Sequence, residues 1–109
     1  MEQQINNYKN VMALSDSYLD SQAGSRFVQE LMSIERLLDR SRVYISELAS
    51  NDEEKEKSRL FVQEVNQYLD TVIRPKTFEK IQKLSSEEKG ELLNNLDFTH
   101  HTSRKMIED

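Results

Sequence analysis

The sequence predicts an all-α fold, and three observations favour it. The chain of 109 residues contains two glycines and one proline, so few residues are present to form the turns of a sheet. Apolar residues recur three and four positions apart over most of the chain, which is helical spacing. Capping signals separate the periodic segments. We therefore expect one domain over residues 1–109, a small bundle of four to five helices built on a long antiparallel hairpin.

The first predicted helix precedes Gly24. Its apolar face carries Ile5, Tyr8, Met12 and Leu19. Ser15 interrupts this face with one polar position, but the spacing of the other residues remains helical. Gly24 is expected to end the helix or to turn the chain, since glycine is common just after a helix.

The two longest periodic segments predict the hairpin, over about 25–49 and 53–73. The apolar face of the first carries Phe27, Leu31, Ile34, Leu38, Ile45 and Leu48, with Ser41 as its polar position. The face of the second carries Phe61, Val65, Tyr68 and Val72, with Val62, Leu69 and Ile73 beside it. From these faces we expect a core that includes Leu31, Ile34, Leu38, Val65, Leu69 and Val72.

The ends of the second hairpin helix follow from local chemistry. Ser50 with Glu53, or Asn51 with Glu54, is expected to form a capping box at its start. Pro75 is expected to end it, because a proline disfavours the α conformation in the preceding residue. Beyond Pro75 we expect a short helix capped by Thr77. Ser85 with Glu88 then predicts a capping box before a further helix from about 86.

The tetrapeptide Phe-Val-Gln-Glu occurs twice, beginning at Phe27 and at Phe61. Each copy lies near the start of a predicted long helix, with its phenylalanine on the apolar face. Because antiparallel helices place their starts at opposite ends, the copies are not expected to form one local site. We interpret them as two core helices with similar faces, and a remote duplication is the alternative.

Residue types exclude several kinds of chemistry. The absence of cysteine excludes disulfides and thiolate sites, and two glycines are too few for a glycine-rich phosphate loop. The serines lack the context of a nucleophile elbow. His100 and His101 are adjacent, so on a helix they point about 100° apart and are poorly placed to share a metal. We therefore predict a non-enzymatic protein with no catalytic, cofactor-binding or metal-binding residues.

The charge of the chain disfavours anionic partners. Its formal net charge is −5, which gives no general attraction for nucleic acid or for an anionic membrane surface. The start of the sequence lacks a charged segment followed by an apolar run, so we expect no signal peptide, no membrane span and a cytoplasmic location.

The hypothesis that remains is a protein–protein interaction module of the inhibitor, immunity, chaperone or adaptor type, which binds another protein through a helical surface. The alternative is a nucleic-acid-linked regulator, acting either as an acidic DNA mimic or through a small anion-facing patch at 74–83. That patch would comprise Arg74, Lys76, Lys80 and Lys83. Binding through such a patch would depend steeply on salt.

Two further expectations concern partners. Flanking apolar positions, Leu37 and Tyr44 in one helix and Val62 and Ile73 in the other, make each face broader than a two-helix contact needs, which favours a homodimer. The segment 98–109 is predicted to be a loosely packed tail that binds the partner, or else to close the bundle. Its candidate binding residues are Phe98, His100, His101, Met106 and Ile107.

Overall fold

The computed structural model describes residues 1–95, and the all-α prediction is confirmed for them, because they contain helices and no strand. The elements are α1 (Glu2–Asp16), α2 (Ser25–Leu48), α3 (Asp52–Tyr68), a π-helical segment (Leu69–Ile73), α4 (Arg74–Gln82) and α5 (Ser86–Asn95). Gly24 lies between α1 and α2 with a φ of 95°, a conformation that residues with a Cβ rarely adopt. The predicted tail at 98–109 lies outside the described residues.

The central pair of helices runs antiparallel. Its first arm is α2, and its second arm extends from α3 through the π-helical segment into α4. Three contacts join the arms: Ser46 with Ser58 (3.3 Å between the hydroxyl oxygens), Arg42 with Asn66, and Glu35 with Arg74 (3.1 Å between Oε1 and Nε). As the residue number decreases along α2, the number of the residue that it contacts on the second arm increases. The two arms therefore run in opposite directions, as in a helical hairpin.

Helix α1 lies along this hairpin and runs parallel to α3. The Lys9 ammonium is 3.4 Å from Glu64, and further along α1 the Tyr68 hydroxyl donates to the Met12 carbonyl at 3.0 Å. The apolar face of α1 therefore completes a three-helix core. That core contains Ile5, Met12, Leu19, Phe27, Leu31, Leu38, Ile45, Phe61, Val65, Leu69 and Ile73.

Most of the predicted core positions are buried. Leu31, Leu38, Val65 and Leu69 are each 0% exposed, and Ile34 and Val72 pack against them while partly buried. Leu48 is different, since it was predicted on the same face and is 36% exposed. The reason is its direction: Leu48 points about 60° away from Ile45, and it is the last residue of α2.

A second, smaller cluster forms on another side of α2. It contains Val28, Met32, Ile81, Leu84 and Leu92, with Leu93 packed against it. Helices α4 and α5 therefore pack on the first half of α2. The bundle has two apolar centres that share this one helix.

The repeated tetrapeptide places its two phenylalanines in the main core. Phe27 and Phe61 are 3% and 2% exposed. Each ring packs against a tyrosine: the ring of Tyr8 in α1 is 5.9 Å from Phe61, and that of Tyr18, just after α1, is 6.2 Å from Phe27. Tyr8 and Tyr18 are ten residues apart in the sequence and contact different phenylalanines. The two copies thus form no common local site, and the interpretation as core positions is confirmed.

The predicted end of the helix at Pro75 is wrong, because the helix continues through it. Proline cannot donate a backbone hydrogen bond and its ring clashes with the carbonyl four residues earlier in an α-helix. Here the turn widens instead: the Arg74 N–H donates to the carbonyl of Leu69, five residues back. Thr77 is likewise not a cap. It is fully buried within α4, and its hydroxyl donates to the Ile73 carbonyl at 2.7 Å.

The capping boxes predicted at the starts of α3 and α5 are both present in the structure. The Asn51 side chain accepts the Glu54 N–H at 2.8 Å, which selects the second of the two predicted boxes. The Glu54 carboxylate accepts the N–H of Ser50 at 3.0 Å, one residue earlier than a standard box. At α5 the exchange is reciprocal between Ser85 and Glu88, with distances of 3.1 and 3.2 Å.

Replacing the cap of α3 tests its contribution. Asn51→Ala removes the acceptor for the Glu54 N–H, so we expect the free energy of unfolding to fall by about 0.5–2 kcal/mol. Urea denaturation followed by circular dichroism measures this change. Asn10→Ala is the matched control, because Asn10 is exposed within α1 and alanine favours helix there. Equal stability of Asn51→Ala and the wild type would show that the cap contributes nothing.

The contact between Tyr68 and α1 predicts a loss of stability at alkaline pH. Burial, with the negative charge of Asp16 nearby, raises the pKa of the Tyr68 phenol from 10.0 to about 12. The folded protein thus holds this proton more tightly than the unfolded chain does. Its contribution to stability is complete below pH 10 and is lost as the pH rises toward 12.

Tyr68→Phe should therefore flatten the alkaline part of the stability profile. At neutral pH it should lower the free energy of unfolding by about 0.5–1.5 kcal/mol, because the bond to the Met12 carbonyl is lost. Urea denaturation at a series of pH values measures both effects. Tyr44→Phe is the control, since Tyr44 is exposed. The same alkaline slope in Tyr68→Phe and the wild type would contradict the assignment.

Candidate interaction surface

Three large apolar side chains form an exposed row on α2. Leu37 and Tyr44 are each 43% exposed and Leu48 is 36% exposed. Because a helix turns 100° per residue, all three point within about 40° of one another. They span about 16 Å along the helix axis. We call these three residues the α2 row.

The two sides of the α2 row differ. On one side lie Ser41 and Ile45, both 0% exposed, so the row borders the core directly. The Ser41 hydroxyl donates to the Leu38 carbonyl at 2.6 Å, which satisfies the polar position predicted on this face. On the other side lie Arg40 and Glu47, both exposed. Neither side chain makes an ion pair or a hydrogen bond with another of the residues 1–95.

The four residues predicted to broaden the apolar faces of the hairpin differ in their exposure. Leu37 and Tyr44 are exposed, as expected for flanking positions that a second surface would cover. On the other arm Val62 is half-buried and Ile73 is 0% exposed, because the hairpin itself covers them. Of these four flanking residues, the two on α2 are therefore the exposed ones.

Other exposed apolar side chains stand apart from the α2 row. They are Leu14 in α1, Val43 in α2, Leu60 in α3 and Phe78 in α4. Val43 points about 100° away from Tyr44. Leu60 points at least about 120° away from Ser58 and Asn66, which face α2. Single exposed apolar residues are normal on protein surfaces, whereas the α2 row aligns three of them on one face.

The predicted basic patch is interleaved with carboxylates. Arg74 pairs with Glu35 and with Asp70. Lys76 lies 2.6 Å from Asp20 and 3.2 Å from Glu79, and Lys83 lies 3.1 Å from Glu79. These contacts also lower the pKa of two carboxyls: that of Asp20 through its bond from Lys76, and that of Glu79 through its bonds from Lys83 and Lys76.

The fourth residue of that patch is hidden. Lys80 is 7% exposed, and its ammonium lies 5.8 Å from the centre of the Phe27 ring, in a cation–π contact. The structure thus brings the four basic residues to one region but leaves no open group of four positive charges there. The long stem of Lys80 instead covers the apolar core.

Two shallow grooves are present in the described part of the chain. One encloses about 480 Å³ and is lined by Tyr18, Arg26, Gln29, Glu30, Ser33 and Ile34. The other encloses about 280 Å³ and is lined by Asp16, Leu19, Asp20, Thr71, Val72, Pro75, Lys76 and Glu79. Within residues 1–95 no three side chains of His, Cys, Asp or Glu come close enough together to hold a metal ion.

The candidate binding residues of the tail lie outside the described residues. They are Phe98, His100, His101, Met106 and Ile107. Their role in partner binding stays a prediction.

Comparison with known proteins gives no relative. No protein-family model, curated protein or solved structure matches this chain. Of the helices in residues 1–95, none combines the length and the apolar character that crossing a membrane would need.

Sequence reasoning missed part of the α2 row and both of its flanking charges. Leu48 was predicted on the apolar face of the helix with Ile45, and Arg40 and Glu47 were not singled out. A signal for them exists in the sequence: Arg40 and Glu47 are seven residues apart, the same spacing as Leu37 and Tyr44. A repeat of seven places residues in line on one side of a helix.

Proposed function

We propose that this protein is a non-enzymatic protein–protein interaction module, of the inhibitor, immunity, chaperone or adaptor type, and that it binds through the α2 row. We place its activity in the cytoplasm. The observation that supports this proposal is the alignment of Leu37, Tyr44 and Leu48 on one exposed face of the central helix. A row of this kind is the surface that a helix presents to a groove or to another helix.

The chemistry of the row suits a binding surface. Tyrosine is enriched among the residues that contribute most to protein–protein binding, because its ring buries a large area and its hydroxyl remains able to form a hydrogen bond. Burying apolar surface contributes about 25 cal/mol per Å², so leucines on both sides of Tyr44 add favourable free energy. Arg40 and Glu47 at the rim supply charges that a partner can complement.

Capture from extracts of the native host tests the proposal. The wild type, Tyr44→Glu and Leu60→Glu would each be used as bait, with mass spectrometry to identify what they retain. We expect Tyr44→Glu to lose a protein that the wild type and Leu60→Glu both retain, since Leu60 is 51% exposed but lies on another face. Isothermal titration with that purified protein would then measure the affinity of each bait.

The opposite result is also clear. If all three baits retain the same proteins with the same affinity, the α2 row is not the binding surface. If the wild type binds duplex DNA with an affinity that falls steeply with salt, the nucleic-acid alternative replaces this proposal. For binding through the patch at 74–83 no observation speaks in favour, because its basic residues are paired or buried.

A further inference from the structure

We propose that the α2 row binds a second copy of this chain, with the two α2 helices antiparallel across a two-fold axis near Val43 and Tyr44. This inference rests on the proposed function, because it takes the α2 row as a binding surface and names its occupant. A two-fold contact requires a surface that is complementary to itself. The positions of the apolar and charged residues along α2 meet that requirement.

When two α2 helices pack antiparallel, the apolar residues of one lie opposite the apolar residues of the other. The midpoint between Leu37 and Leu48 lies between residues 42 and 43, and Tyr44 lies about 2 Å further along the axis. One axis therefore places Leu37 against Leu48 of the second copy, twice, and brings the two Tyr44 rings together. The bulky residues are then opposite bulky residues along the whole row.

The flanking charges match in the same register. The midpoint between Arg40 and Glu47 lies between residues 43 and 44, within about 2 Å of the apolar midpoint. Both side chains lie on the same side of the row, about 60–80° from Leu37. In an antiparallel pair of helices a given side faces the same side of its partner, so each Arg40 would meet Glu47 of the second copy.

The charges also select this orientation over the other one. A parallel two-fold pair would instead place the flank with Arg40 and Glu47 beside the opposite flank of the second copy, where Ser41 and Ile45 are buried, so neither charge would meet an opposite charge. In the isolated chain neither side chain has a partner among the residues 1–95, so two ion pairs form without breaking any that exist. On the other side of the row Ser41 and Ile45 are buried against the core, so the second copy contacts the row together with the side that carries Arg40 and Glu47.

The contact is small, which sets the expected strength. Three apolar residues and two charged residues per chain are far fewer than the roughly 20–30 residues that each partner contributes to a standard specific interface. We therefore expect a weak dimer that dissociates on dilution. A binding partner with a deeper groove would compete with it for the same row.

Sedimentation equilibrium of the full chain, from low micromolar to near-millimolar concentration, tests the proposal. We expect the wild type to show a concentration-dependent rise from the monomer mass toward the dimer mass. Tyr44→Glu should weaken the dimer at least roughly tenfold, because it places two carboxylates against each other at the axis. Leu60→Glu, on another face, should dimerise like the wild type. Thermal melts of each variant confirm that it is folded.

A charge exchange tests the register. Arg40→Glu alone replaces two attractive pairs with two repulsive ones, and we expect roughly tenfold weaker dimerisation at low salt. Combining Arg40→Glu with Glu47→Arg restores opposite charges at both positions and should restore the dimer to within about threefold of the wild type. Failure of the double variant to recover would overturn the antiparallel register.

Failure of this inference can be separated from failure of the proposed function. A wild type that remains monomeric at every concentration overturns the dimer, while loss of partner capture by Tyr44→Glu would still support the α2 row as a binding surface. A dimer that Tyr44→Glu and Arg40→Glu leave unchanged would also overturn this inference, because its interface would lie elsewhere.

Discussion

Leu38→Ala should lower the free energy of unfolding by about 2–5 kcal/mol. Leu38 is 0% exposed and packs in the main core between the three longest helices. Its truncation removes buried apolar contacts and leaves a cavity that rigid neighbours fill only in part. Against a total stability of about 5–15 kcal/mol for a domain of this kind, such a loss is large. Urea denaturation followed by circular dichroism measures it.

The adjacent residue provides a matched control. Leu37→Ala removes the same atoms from a side chain that is 43% exposed, so it should cost less than about 1 kcal/mol. Both variants should be measured at low micromolar protein, where self-association contributes little. If the two substitutions cost the same, the orientation of α2 in the bundle is wrong.

Phe61→Ala should cost about 3–5 kcal/mol, the range observed when buried aromatic residues are truncated. Phe61 is 2% exposed, and its ring contacts that of Tyr8 in α1. Removal of the ring thus weakens the attachment of α1 as well as the hairpin. We expect backbone amides of α1 to exchange with deuterium faster in this variant, relative to those of α2.

Phe78→Ala is the control for this prediction. Phe78 is 48% exposed in α4, so its truncation should cost less than about 1 kcal/mol. It should also leave the exchange of α1 unchanged. Exchange of α1 that is equally slow in Phe61→Ala and the wild type would mean that the Tyr8 contact does not hold α1 in place.

Periodicity predicted those parts of the fold that depend on one helix at a time. The spacing from Phe27 to Ile45 identified the buried face of α2, because burial of a helix repeats with its turn. The capping boxes at Asn51 and Ser85 were predictable for a related reason, since both partners lie within four residues of each other.

The errors arose where distant residues decide the outcome. Leu48 continues the apolar spacing, but it points about 60° away from Ile45 and is 36% exposed in the described part of the chain. The pairing of Lys76 with Asp20 was also not predictable, because Asp20 is far from it in sequence and the contact depends on the position of the segment that follows α1. Pro75 is compatible with a continuous helix because the backbone before it widens, and local preference alone does not predict this.

The widened turn before Pro75 also makes the packing of the second cluster depend on the number of residues between Leu69 and Ile73. Leu69 is buried in the main core and Ile81 in the second cluster, and in a regular α-helix the two would point about 120° apart. A π-helical turn takes up about one additional residue, which rotates everything after it back by about 100°. Deletion of one residue from Leu69–Ile73 would rotate Ile81 and Leu84 out of the second cluster. Evolution should therefore tolerate exchanges of side chains at exposed Asp70 and Thr71 more readily than any change in the number of residues there.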